Sequence, residues 1–160
     1  MAPLVVLILA TLFARLAGRL GVAALRDWAA ATRVGLAAMF CFTAVAHFGP
    51  MRADLVRMVP PWVPAPDMMV AFTGICEILG AVGLLLPRTR RAAAAALIVF
   101  LVAVLPANIH AATSGATLRG QPATPLVPRV ALQLLFIGLV AWSGVYAGGP
   151  RTPAPRSQEV

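Results

Sequence analysis

Apolar residues gather in five long runs, parted by short stretches rich in arginine, proline and glycine. The runs are Ala2 to about Leu20, Trp28 to Phe48, Pro66 to Pro87, Ala92 to Ala112, and about Leu126 to Ala147. None shows the strict alternation of a half-buried strand, and each is far longer than a strand. At ~1.5 Å per residue each run matches the ~30 Å hydrocarbon layer of a bilayer. The pattern therefore predicts an all-α, polytopic membrane protein: a four-helix transmembrane bundle preceded by an N-terminal apolar helix. The expected divisions are 1–24 for that first helix, 26–148 for the bundle, and 149–160 for a proline-rich, disordered tail.

The first run is purely apolar only from Ala2 to Ala14. It reaches spanning length if it continues past Arg15 and Arg19 with those side chains snorkelling. The alternative is a helix lying in the interface. No basic segment precedes the run, which argues against a cleaved signal peptide. Between the second and third runs, residues 51–58 have Met51, Leu55 and Met58 on one side of a short amphipathic helix. Pro60, Pro61, Pro64 and Pro66 then impose extended backbone. Trp62 among them reads as an interfacial anchor, so 50–66 is expected on the outer surface, covering whatever opens there. Pro106 interrupts the fourth run and leaves the carbonyl of Val102 without its helical donor.

Composition agrees with the pattern. The chain is 61% hydrophobic and 11% charged, against about 25% charged in soluble domains. A net charge of +8 invites a nucleic-acid reading. However, all thirteen basic residues are arginines at helix ends and in loops, with no stripe to track a phosphate backbone. They act instead as topology signals. Nine (Arg15, Arg19, Arg26, Arg33, Arg88, Arg90, Arg91, Arg151, Arg156) fall on one side and four (Arg52, Arg57, Arg119, Arg129) on the other. The positive-inside rule puts the larger group, and the C terminus, in the cytoplasm of a bacterial inner membrane. Cys41 and Cys76 lie in apolar runs with no CxxC spacing; they read as small core residues, a disulfide between them being the alternative.

Apart from Asp67 at the very start of its run, Glu77 is the one acid in any apolar run. A carboxylate at mid-membrane costs about 2.5 kcal/mol or more, so it is expected to face protein. Thr73, Glu77 and Gly80, with Ala81 beside them, share a face whose small residues admit a neighbouring helix. His47, Asn108 and His110 end outward-running helices, and Gln133 lies in the upper half of an inward-running one. All five fall at depths of roughly 0 to 16 Å in the outer half of the bilayer. This layer is the candidate site. Glu77, His47 and His110 are its proton-transferring, catalytic candidates, and Asn108, Gln133, Arg129 and Trp62 its ligand-binding candidates. The competing reading is a neutral, hydrogen-bonded Glu77 that only sets helix register. The two histidines are also candidates for a haem, although both sit near the surface. No protein metal site is expected.

Four stretches resemble the DoxX family of small bacterial membrane proteins: AVAHFGP (44–50), MVPPWVPAP (58–66), TGICEILGAVGLLLPRTRR (73–91) and FLVAVLPANIHAA (100–112). The likeness covers about residues 28–145 in order. It implies a four-helix membrane bundle, an association with quinone- or thiol-linked redox systems, and membrane oxidoreductase partner subunits. It assigns no catalytic residues. The chain has neither a redox dithiol nor a flavin or nicotinamide fingerprint, so a quinone is the cofactor to consider. The expectation is an accessory subunit of a redox system in the bilayer, without nucleic acid and with self-association open. The alternatives are a non-catalytic scaffold and a small proton-coupled transporter.

Overall fold

The computed structural model describes residues 2–114, 117, 118, 120–122 and 124–148. Among the described residues there are seven α-helices: α1 Ala2–Arg19, α2 Trp28–Phe48, α3 Arg52–Met58, α4 Pro66–Leu85, α5 Arg90–Ala103, α6 Leu105–Thr113 and α7 Leu126–Val140. The all-helical expectation holds. The one strand pairing among the described residues joins Thr117–Leu118 to Gln121–Pro122. Five helical stretches are long and apolar enough to cross a membrane, α5 with α6 counting as one. The expected disordered tail, 149–160, lies outside the described residues.

α2, α4, α5 and α7 close into a ring in which each packs on the next and α7 returns to α2. Small residues set the close approaches. A Cβ on Gly74 would stand 2.7 Å from the Cβ of His47 on α2, and one on Gly80 would stand 2.4 Å from Leu97 on α5. Leu36, Phe40, Leu84, Leu97 and Val140 fill the centre and are buried to within 2%. Outward positions such as Phe13, Val45, Phe72, Val99 and Leu134 remain exposed, as on a surface that meets lipid. α1 lies outside the ring, antiparallel along α2: Gly35 abuts Leu7 and Thr11, and Arg15 stacks on Trp28 at 4.9 Å. Such contacts along its length favour a helix that follows α2 over one lying flat at the interface.

Three local expectations are corrected. The proline segment is not uniformly extended: the Val63 N–H donates to the Pro60 carbonyl at 3.0 Å, closing a turn with Pro61 at the position that proline favours. Ala65, before Pro66, then adopts a left-handed conformation with φ 48°. The last helix does not run evenly to its end, but widens into a π-turn over Ala141–Val145 followed by a 3₁₀ turn at Tyr146–Gly148. Cys41 is exposed and not a core residue; Cys76 is partly buried, and both are free thiols.

Candidate functional site

Pro66 opens α4 where its missing N–H has no helical partner to lose. From there the helix runs unbroken, with Gly74, Glu77, Gly80, Ala81 and Leu84 all buried along one stripe. Glu77 thus faces protein, at 8% exposure. Thr73, expected on this face, is half-buried and hydrogen-bonds its own helix at the Val70 carbonyl.

The acid meets α2. The Thr43 hydroxyl is 2.9 Å from Glu77 Oε2 and 3.0 Å from the Phe40 carbonyl oxygen. A hydroxyl has one hydrogen to give and lone pairs to accept with. With Glu77 ionised, Thr43 donates to the carboxylate. With Glu77 protonated, the acid donates to Thr43 and the hydroxyl turns its hydrogen to Phe40. Both states are served without moving a helix. His47, one turn further along α2, places Nδ1 3.8 Å from the same Oε2. That is beyond hydrogen-bonding distance, and Nδ1 is buried with no partner. Gly74 makes the approach possible, because any side chain there would collide with the imidazole.

The remaining polar residues form a separate network. Asn108 Nδ2 donates to Gln133 Oε1 at 3.0 Å, and Arg129 Nη1 donates to Asn108 Oδ1 at 3.2 Å. Arg129 Nε also holds the Thr124 carbonyl at 2.7 Å. Gln133 Nε2 donates to the carbonyl of Leu101. Leu101 lies in the last turn of α5, where carbonyls have no donor in their own helix. The sequence places the free carbonyl at Val102, four residues before Pro106, but Val102 accepts the backbone N–H of Val104. The mending group is Gln133, reaching in from α7, because the break falls at Val104, ahead of the proline. No hydrogen bond joins this network to the Glu77 group among the described residues.

His110 is not brought to Glu77. Its ring meets Trp62 edge to face, with centroids 6.5 Å apart, so the interfacial segment rests on the end of α6. The two histidines are engaged by different neighbours. α3 is tied down by Arg52, whose Nη2 donates to the Asp67 carbonyl at 3.0 Å and pairs with its carboxylate at 3.5 Å. The layer expected from the sequence therefore divides into a Thr43–His47–Glu77 group between α2 and α4, a brace of Asn108, Gln133 and Arg129 between α6 and α7, and a Trp62–His110 contact above. Sequence reasoning missed Thr43 and Gly74. Each was signalled by spacing: Thr43 is four residues before His47, and Gly74 three before Glu77.

A family model described as "Domain of unknown function (DUF8561)" matches residues 36–146, which include every residue of the three groups. No curated protein and no solved structure matches the chain.

Proposed function

The chain belongs to the DUF8561 family, and from that premise we propose that it is a membrane-embedded accessory subunit of a redox system in which Glu77 and His47 handle a proton. The observation that carries this reading is the pairing of a buried carboxylate with a buried, unpartnered imidazole nitrogen 3.8 Å away. A group kept only for helix register would be expected to have its hydrogen bonds closed. Here the Thr43 hydroxyl accommodates either protonation state of the acid, and His47 Nδ1 is free to donate or accept.

The likeness to DoxX proteins in the four quoted stretches supports the redox setting and makes a quinone the small molecule to consider. The orphaned His47 Nδ1 fits a carbonyl oxygen, which is the polar group a quinone presents. His47 would hold that oxygen, Glu77 would give or take the proton, and Trp62 on the interfacial segment would cover the opening. A bound quinone would supply electron transfer coupled to proton uptake. Asn108, Gln133 and Arg129 bond mainly to one another and to backbone, and so shape the site from the side. In this proposal the protein crosses a bacterial inner membrane with its C terminus inside, alongside oxidoreductase partner subunits.

A second reading, a non-catalytic scaffold, draws on that brace, whose role in joining α5, α6 and α7 is structural. One experiment separates the two. The protein is purified in mild detergent, its absorption spectrum recorded and its quinone extracted, for wild type and Glu77→Gln. The redox reading expects near-stoichiometric quinone in the wild type, and loss of quinone-linked turnover of the complex in a mutant that keeps its abundance. A colourless, quinone-free protein whose Glu77→Gln form loses abundance or complex size would establish the scaffold instead.

A further inference from the structure

At the opposite end of the bundle from Glu77, where α2 and α5 begin and α7 finishes, a second group of side chains converges. Arg33 on α2 extends its Nη1 to the carbonyl oxygen of Ser143, at 2.7 Å, inside the π-turn. Only one of the N–H donors of its guanidinium is used in that bond. Ser143 and Gly144 are buried there, and a Cβ on Gly144 would stand 2.5 Å from the Cβ of Ala94 on α5. Arg90 lies one turn before Ala94 on the same face of α5. This sets Arg90 at the same end of the bundle as Arg33, and its Nε is buried without a hydrogen-bond partner.

Two positive groups drawn together need an anion. Neither arginine makes a salt bridge among the described residues. An acceptor serving both must take hydrogen bonds from two helices at once. Tetrahedral phosphate oxygens do this, and guanidinium is the side chain best matched to them.

We propose that Arg33 and Arg90, framed by the π-turn at Ser143, bind one phosphate group, either the phosphodiester of a lipid headgroup or a free phosphate ion. The site is independent of the Glu77 reading and stands or falls separately. If the positive-inside orientation holds, it faces the inner leaflet, where anionic lipids gather basic side chains.

The test uses the full chain in detergent, titrated with dioleoylphosphatidylglycerol and, in a parallel arm, with inorganic phosphate. Binding is read by native mass spectrometry and by the rise in unfolding temperature. Arg90→Gln is expected to weaken binding about tenfold, the loss of a charge-assisted hydrogen bond. Arg91→Gln removes the same charge from the neighbouring exposed arginine, and is expected to weaken it by less than about twofold. Arg90→Lys keeps the charge and loses Nε, and is expected to resemble Arg90→Gln. Saturation by the lipid alone identifies a headgroup site; saturation by inorganic phosphate as well identifies a free-ion site. Equal losses in Arg90→Gln and Arg91→Gln, wild-type binding by Arg90→Lys, or no binding of either probe overturns the proposal.

Discussion

Thr43 shows how much a single side chain can contribute when it sits between a helix carbonyl and a buried acid. Thr43→Val preserves shape and removes the hydroxyl, leaving Glu77 Oε2 without its donor. The expected cost is about 1–3 kcal/mol of stability, read as a lower unfolding midpoint in detergent. Gly74 acts by absence. Gly74→Val drives methyl groups into His47, whose Cβ already lies 2.7 Å from the place a Cβ would occupy. Overpacking of this kind costs about 1–3 kcal/mol, and it separates the imidazole from the acid. The variant is therefore expected to lose function beyond what its lowered melting point explains. If its turnover, normalised to folded protein, equals wild type, His47 is not part of the proton path.

At the scale of the element, the break between α5 and α6 and the side chain that mends it form one device. Gln133→Leu leaves the Leu101 carbonyl and Asn108 without their partner and is expected to cost about 1–3 kcal/mol. Pro106→Ala allows the two helices to rejoin and restores a backbone donor near the break. The two changes are expected to couple: in the Pro106→Ala background, Gln133→Leu costs less than it does alone, by about 0.5–3 kcal/mol. Strict additivity in a double-mutant cycle of unfolding midpoints would show that Gln133 mends nothing. The interfacial segment offers a separate test. Ala65 holds φ 48°, a conformation that costs an L-residue roughly 1–2 kcal/mol. Ala65→Gly is expected to relieve part of that strain, and so to be neutral or slightly stabilising where a glycine in a regular helix would destabilise.

For the molecule as a whole, the ring of α2, α4, α5 and α7 fixes which ends of the helices share a level. His47, Trp62 and His110 belong to one end; Arg33, Arg90 and Ser143 belong to the other. In the proposed orientation, which follows the arginine distribution, the second end lies inside. Impermeant maleimide applied to intact cells is expected to label Pro50→Cys and spare Pro87→Cys, each in a Cys41→Ala/Cys76→Ala background, with Pro87→Cys labelled after lysis. The reverse pattern would invert the molecule and place the phosphate site in the outer leaflet. Labelling of both in intact cells would show that the chain does not cross as a bundle.

The sequence by itself determined the helices, because long apolar runs bounded by arginine, proline and glycine leave the backbone few other ways to satisfy its hydrogen bonds. It also determined that Glu77 faces protein, since small residues recur beside it at helical spacing and a carboxylate is costly against lipid. Only the tertiary structure decided which polar residues meet. One layer of five residues became three groups, because side-chain partners depend on helix rotation and register, which a hydropathy pattern leaves open by a turn or more. His47 reached Glu77 because Gly74 let α2 approach. Gln133 took the carbonyl of Leu101, and not that of Val102, because the helix broke at Val104, ahead of the proline. The π-turn at Ser143 was equally out of reach from sequence. The Ser143 carbonyl is held by Arg33, a residue 110 positions away along the chain.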